Sequence, residues 1–506
     1  MMRKQIPLGL GFLLPVLALG VTIALIGMGP NSSAVAEVSL ARSEAPRALF
    51  ASDPATLYLP VIMNNYPWIS PFGVESNPLL LPGTRIYTRT VDLGVGWIRL
   101  NGSNRISWRL LQPQRGGPIL WENLASFESE LRALKAAGIR PIVIVDDHPI
   151  WATLGRKGAD GQLSYCDALK DDAFADYAQF LRALVARYKS PEFDVHDWEL
   201  GNEPDVDPRL VPHDSPFGCW GDIEDPYYGG RRYGEMLKLV VPAIRAEDPT
   251  ARIWIGGLLL NSPGIYEGPR KGTPGLFFQG ILESGAAPYL DIVAYHAYPT
   301  YVNRYYDYDL NAAWWTSWGG NTLGKAAYLR GIMTRYGVDK PLFLNETGLM
   351  CPEYYSWCTP PDEQFFQIQA SHVVRSFVRG ISGGIRGFVW YTINGPGWRY
   401  TGLLNSDGSP KPVYIAYQVM IQQLQNTRYL GTTAYTEGTE GYAFRRGPEI
   451  VDVVWVVENR GLTVDIPQNK FLRALTRDGV PITPTLAGTN YRIPVGFEPV
   501  YIVRQP

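Results

Sequence analysis

Charge of one sign, histidine and closely spaced cysteine are all scarce in this chain of 506 residues. The 46 Lys and Arg nearly balance 48 Asp and Glu, a formal net charge of -2, so no field exists to gather a polyanion and nucleic acid is not an expected partner. The 5 histidines form no H-x-H or H-E-x-x-H pair, which removes the usual ligands of a metal-dependent hydrolase. The 4 cysteines show no C-x2-C spacing, so a zinc site is the weaker use for them. Gly380-Ile381-Ser382-Gly383-Gly384 has the letters of a serine nucleophile elbow, but it follows a helical stretch and precedes a strand, the reverse of that motif. No histidine follows Ser382, the last being His372, so a serine esterase is excluded. There is no internal repeat and no low-complexity tract. No metal or cofactor is expected.

Aromatic residues are plentiful instead, with 15 Trp and 30 Tyr, alongside an ordinary 46% hydrophobic and 19% charged content. A large core accounts for many of them. At its beginning the chain carries Arg3 and Lys4, then an apolar run over residues 6–28, then Ala34-Val35-Ala36 as a small-residue cleavage site. Residues 1–36 therefore read as a signal peptide cut after Ala36, or as an uncleaved membrane anchor through residues 6–28, and the bulk of the chain is expected to be extracellular or at the cell surface. An even set of cysteines fits that compartment, with Cys351 expected to pair with Cys358 across a short loop and Cys166 with Cys219.

Residues 37–66 are small, polar and proline-punctuated, a linker. Across residues 67–426 short apolar runs alternate with amphipathic helical stretches. Strands are expected at Phe72-Gly73-Val74, Trp97-Ile98-Arg99-Leu100, residues 141–145, Asp197-Trp198-Glu199-Leu200, residues 252–255, residues 292–295, Leu342-Phe343-Leu344 and Gly387-Phe388-Val389-Trp390. Helices are expected over residues 124–137, 174–188, 233–245 and 364–378, among others. Repeated strand–helix units of this number make a (β/α)8 TIM barrel, an α/β fold whose active sites lie in the loops after the strand C-terminal ends. Residues 427–506 change to β-branched and aromatic segments split by Gly, Pro and Asn, a small antiparallel β-domain that packs on the barrel.

In a barrel the informative residues are the polar ones just past each strand. Gly201-Asn202-Glu203-Pro204 follows the fourth strand and Asn345-Glu346-Thr347-Gly348 follows the seventh. Those strands face each other across a barrel mouth, so Glu203 and Glu346 can approach the separation at which one carboxyl protonates a leaving oxygen and the other attacks an anomeric carbon. The acid must keep its proton near working pH, helped by the charge of the other carboxylate, while the nucleophile must stay ionised, with Arg99 and Tyr298 as donors to it. Asp146, Asp147 and His148 follow the third strand; His148 is a candidate sugar contact, and capping the loop is the plainer use for one of the aspartates. The aromatic stretch over residues 301–318 suits a carbohydrate cleft or a local hydrophobic cluster. Plainer readings exist for the motifs as well: Pro204 can open a helix, Asn345-Glu346-Thr347 is also a glycosylation sequon, and Arg99 and His296 can be structural.

Three segments carry a resemblance. Residues 198–204 (WELGNEP), Tyr295-His296-Ala297-Tyr298-Pro299 and Leu344-Asn345-Glu346-Thr347-Gly348 resemble the strand-four, strand-six and strand-seven signatures of glycoside hydrolase clan A, nearest its cellulase-like and β-xylosidase-like members. Asp407-Gly408 and Lys411-Pro412 resemble the closing segment of those enzymes, and the likeness spans roughly residues 70–425. The resemblance implies retaining hydrolysis of β-linked glycosides or polysaccharides through a covalent glycosyl-enzyme, with Glu203 as acid/base and Glu346 as nucleophile. It also implies that Asn202 touches the 2-hydroxyl, that Trp390 forms the aromatic floor, and that Arg99, His148, His296 and Tyr298 line the substrate site. A non-catalytic carbohydrate-binding barrel and a transglycosidase are the rival readings. No particular sugar is implied, because specificity resides in loop shape.

Overall fold

The computed structural model describes residues 70–263 and 271–506. The expected leader and linker, residues 1–66, lie outside them. Eight parallel strands alternate with eight helices: β1 Phe72–Ser76, α1 Arg85–Leu93, β2 Trp97–Leu100, α2 Ala125–Ala136, β3 Arg140–Asp146, α3 Phe174–Tyr188, β4 Asp197–Leu200 and α4 Gly230–Glu247 make the first half. The second half is β5 Arg252–Ile255, α5 Phe277–Glu283, β6 Val293–Ala297, α6 Asn321–Arg335, β7 Leu342–Thr347, α7 Glu363–Ser382, β8 Gly387–Trp390 and α8 Pro412–Leu424. The strands pair in the order β5-β4-β3-β2-β1-β8-β7-β6. Isolated parallel bridges, Trp254 to Ile292 and Leu258 to Tyr295, join the two ends and close the barrel. A two-residue strand, Ile106–Ser107, adds to β3.

Alternation along each strand sorts the side chains. Ile98, Leu100, Val143, Val145, Trp198, Ile253, Val293, Tyr295 and Leu344 point outward into the main core beneath the helices. Trp97, Ile142, Trp254, Ala294, Phe343 and Val389 point inward and plug the lumen near the strand starts, with Trp254 and Phe343 edge to face at 4.6 Å. The next inward positions, one pleat on, are Glu75, Arg99, Glu199, His296 and Asn345, all buried and polar. An apolar plug therefore floors a polar layer at the strand C-terminal ends, the face where barrel sites form.

The helices start and stop on local signals. Thr84 caps α1 by accepting from the Tyr87 amide, and Gly94, at φ 80°, ends it. Asp362 caps α7, and Pro412 opens α8 at a position that needs no amide donor. Ser382 ends α7 with its hydroxyl donating to Arg379 O, a helix-terminal role.

Beyond α8 the chain forms β9 Arg428–Thr432, β10 Thr439–Arg446, β11 Glu449–Val456, β12 Leu462–Pro467, β13 Phe471–Thr476, β14 Thr485–Ala487, β15 Asn490–Val495 and β16 Val500–Arg504. They make two antiparallel sheets, β9-β10-β11-β16-β13 and β12-β15-β14. Val454, Val456 and Ile502 pack against Val464, Ile466 and Ile493 of the smaller sheet. The opposite face of the larger sheet, with Val451, Val453, Trp455 and Val503, joins the barrel's own core. One sheet thus buries both faces, which is why its central strand β11 is apolar almost throughout.

Candidate active site

Arg99 is the hub of the polar layer. Its Nε and Nη2 donate to both oxygens of Glu199 at 2.9 and 2.8 Å, and Nη2 also donates to Asn202 Oδ1 at 2.7 Å. Its Nη1 donates to Glu75 Oε2 and to Glu346 Oε2. Burial pulls against the charge of this guanidinium, but Glu199, Glu75 and Glu346 together raise its pKa well above the ordinary arginine value. Glu199 is further fixed by the Gly257 amide at 2.9 Å and Asn345 Nδ2 at 3.0 Å.

Glu346 reaches this layer through a bulge. The β6–β7 register runs Tyr295 to Leu344 and then His296 to Glu346, so Asn345 is an extra residue and both Asn345 and Glu346 turn inward. Simple alternation would have sent Glu346 outward beside Leu344. The carboxylate accepts from Arg99 on Oε2 and from the Tyr298 hydroxyl on Oε1. Burial first, then the charge of Glu346, holds the Tyr298 phenol well above its ordinary pKa, so it stays a donor.

Glu203 enters from the loop after β4. Its backbone is left-handed at φ 48°, an arrangement costing about 1 to 3 kcal/mol for a residue with a side chain. The amide of Glu203 donates to Gly257 O at 3.1 Å, which anchors the turn to the β5 loop. His296 Nδ1 lies 2.8 Å from Glu203 Oε1. Burial lifts the Glu203 carboxyl to about 7, against the pull of Arg99 and Lys325. The cause differs from the expectation, which assigned the rise to the other carboxylate. Burial also takes His296 down to about 4, so the ring is neutral near pH 7.

An oxygen of Glu203, a nitrogen of His296 and an oxygen of Glu346 all lie within 4.8 Å of one another. Such a triad could hold a cation, but Glu346 already accepts on both oxygens and Arg99 already supplies a fixed positive charge there. The arrangement holds one carboxyl that carries a proton near neutrality facing a second carboxylate surrounded by donors.

Arg99, Asn202, Glu203, His296, Tyr298 and Glu346 are thus gathered in one place. Two other expected residues are not. Trp390 is fully buried and faces outward, its Nε1 donating to Thr401 O and its ring against Phe377 and His372 of α7. Because Val389 points inward, alternation sends Trp390 the other way, and Tyr391, one residue on, stands beside Tyr298 at 6.0 Å. His148 packs edge-on against Trp108, Tyr177 and Trp220, with Nδ1 bound to Asp167 O. Asp147, left-handed at φ 64°, turns the chain after β3 and sends His148 into that cage. Asp147 itself holds Ser107 and Arg109, the loop-capping role.

The aromatic stretch over residues 301–318 is divided between packing and surface, with Tyr305, Trp314 and Trp318 exposed. Tyr301 and Tyr308 are buried with Cys351, Cys358 and Phe365, and Trp315 is buried against Tyr328. Both expected disulfides are present, Cys166 to Cys219 and Cys351 to Cys358. Sequence reasoning missed Glu75, Tyr391 and Lys325, and it quoted Glu199 without assigning it. Inward parity on β1 and β4 marks Glu75 and Glu199; nothing in the sequence marks Lys325, which reaches from α6 to donate to His296 O at 2.7 Å and Leu259 O at 2.8 Å.

No family model and no curated relative matches the chain. Solved structures do share its fold. A family 39 glycoside hydrolase from the gut symbiont Bacteroides cellulosilyticus WH2 superposes with TM-score 0.63 at 19% identity, over 86% of this chain and 81% of that one. A glycoside hydrolase family 30 subfamily 8 xylanase from Clostridium acetobutylicum gives TM-score 0.58 at 14% identity, over 87% and 96%. A GH39 β-xylosidase from Caulobacter crescentus gives 0.55 at 17%, also over 87% and 96%. At these identities the likeness establishes the fold alone.

Proposed function

We propose that this chain is an exported, retaining O-glycoside hydrolase acting on β-linked glycosides, with Glu203 as acid/base and Glu346 as nucleophile. One observation carries the reading: carboxylate oxygens of the two residues lie within 4.8 Å. Double displacement uses carboxyls about 5 to 5.5 Å apart, whereas single displacement leaves room for a water at about 6.5 to 9.5 Å. The names of the structurally similar proteins, glycoside hydrolases among them, support the same chemistry. The leader pattern of residues 1–36 and two disulfides support export.

In the first step Glu203, protonated because burial holds its pKa near 7, gives its proton to the glycosidic oxygen. A carboxylate oxygen of Glu346 attacks the anomeric carbon as the bond to the leaving oxygen breaks. Arg99 and Tyr298 keep that carboxylate oriented and charged until it bonds. The ionised Glu203 is then held by His296 Nδ1–H, and it takes a proton from water as that water displaces Glu346 from the sugar. Asn202, fixed by Arg99, is the residue placed for the 2-hydroxyl.

The test is hydrolysis of a panel of aryl β-glycosides, with the anomeric configuration of the first product read by proton NMR. Retained configuration is expected. Inverted product, or no hydrolysis of any β-glycoside in the panel, overturns the assignment.

A further inference from the structure

Next to the catalytic centre stands a row of rings that the chemistry above does not use. Trp398 lies edge-on to Tyr298 at 5.8 Å and to Tyr391 at 6.4 Å, so it adjoins the residue that holds Glu346. It is 48% exposed. The Arg399 guanidinium sits 4.3 Å from the Trp398 ring and 5.8 Å from the Tyr354 ring, bridging the two. Tyr354 is 65% exposed and packs on Tyr355 at 4.6 Å, which in turn stacks on Trp357 at 4.7 Å.

These rings are held in place although they face water. The Cys351–Cys358 disulfide staples the short loop carrying Tyr354, Tyr355 and Trp357, and the Cys351 amide donates to Arg399 O at 2.9 Å. Arg399 and Tyr400 are both left-handed, at φ 51° and 63°. Two adjacent residues with side chains in that region cost free energy that the fold must offset elsewhere. Leaving large apolar faces in water also costs, roughly in proportion to their area. A fold that fixes such rings beside the proposed catalytic centre presents an aromatic surface to something with apolar faces. Sugar rings present such faces through their C–H bonds.

We infer that Trp398 and Tyr354 form a second sugar-binding platform, continuous with the catalytic centre, and that the ligand is a β-linked oligosaccharide rather than a single glycoside. The inference rests on the glycosidase reading and deepens it by naming the substrate class. The occupant is argued from continuity: Tyr298 touches Glu346 at one end and Trp398 at the other.

The experiment compares wild type, Trp398→Ala, Tyr354→Ala and Tyr354→Phe on cello-, xylo- and manno-pentasaccharides and on the aryl glycoside of the same sugar. The ratio of kcat/KM for pentasaccharide over aryl glycoside should fall about tenfold in the alanine variants and hold in Tyr354→Phe, which keeps the ring. A ratio equal to wild type in both alanine variants overturns the platform. Calorimetric binding of the pentasaccharides to Glu346→Gln, alone and combined with Tyr354→Ala or Trp398→Ala, separates the two proposals. Binding that depends on Tyr354 in a protein whose wild type hydrolyses nothing removes the glycosidase reading and keeps the platform. Binding of none of the three, or binding indifferent to Tyr354 and Trp398, overturns the platform whatever the hydrolytic result.

Discussion

His296 Nδ1 lies 2.8 Å from Glu203 Oε1, while Nε2 of the same ring lies 3.6 Å from Glu346 Oε2. The neutral imidazole therefore holds Glu203 and only stands beside Glu346, which Arg99 and Tyr298 position, and its own place depends on Gly257. A Cβ at Gly257 would be driven into His296 Nε2 and would stand 2.6 Å from Asn345 Oδ1. Gly257→Ala should lower kcat on the order of 10²-fold through displacement of His296, and as an overpacking change it should also cost about 1 to 3 kcal/mol of stability. Wild-type kcat in that variant would show that the ring does not position the acid.

Lys325 sits behind the same pair. Burial lowers its pKa to about 8, so it is charged near neutrality, and that charge pulls Glu203 down. In the proposed mechanism Glu203 acts as an acid only while protonated, so the basic limb of the kcat/KM profile is expected to report its pKa. Removing the cation in Lys325→Met should move that limb to higher pH, and Lys325→Arg should leave it near the wild-type position. A purely structural lysine would lower the rate in both variants without moving the limb.

What the sequence discloses of this protein, and what it hides, follows from strand geometry. All eight barrel strands were legible, most of them as short apolar runs, and α7 was legible from its apolar spacing. Glu203 and Glu346 were legible as motifs at the fourth and seventh strands, yet alternation alone would have turned Glu346 away, since only the bulge at Asn345 brings it inward. Trp390 misled for the opposite reason: it lies in a regular strand next to inward Val389, so it must face α7. His148 depended on the left-handed turn at Asp147; aspartate is enriched in that region, but nothing in the sequence says which of Asp146 and Asp147 adopts it. Lys325 sits within a helix and is brought to the site by packing alone.

The contact between barrel and β-domain can be tested by stability. Arg379 of α7, 1% exposed, donates to Asp307 at 2.9 and 2.7 Å and to Glu440 of β10 at 2.7 and 2.6 Å. Arg379→Met leaves those carboxylates with one fewer cation in a buried site and should destabilise by about 3 to 5 kcal/mol, read by denaturant unfolding. Adding Asp307→Asn and Glu440→Gln should recover part of the loss, because the single variant's cost lies mostly in the charges left behind. A loss below about 0.5 kcal/mol, the scale of an ordinary surface substitution, would mean that this network does not tie the β-domain to the barrel.

The two glutamates should respond differently to removal and to azide. Under the proposed assignment Glu346→Gly removes the attacking oxygen, so turnover should vanish, but the gap admits azide, which would attack the anomeric carbon directly and give a glycosyl azide of configuration opposite to the substrate. Glu203→Ala leaves Glu346 and its donors Arg99 and Tyr298 in place. General acid help is worth roughly 10² to 10⁴ in rate, and a dinitrophenolate leaving group barely needs it. Glu203→Ala should therefore form the glycosyl-enzyme from a dinitrophenyl glycoside at nearly the wild-type rate and fail on natural glycosides. The glycosyl-enzyme then lacks its general base, and azide, which needs none, should release it with retained configuration. The basic limb that marks Glu203 near pH 7 in the wild type should also disappear from the glycosylation profile of this variant. If azide instead gave the inverted product with Glu203→Ala and the retained product with Glu346→Gly, the two roles would be exchanged, and the high pKa of Glu203 would have to serve something other than leaving-group protonation.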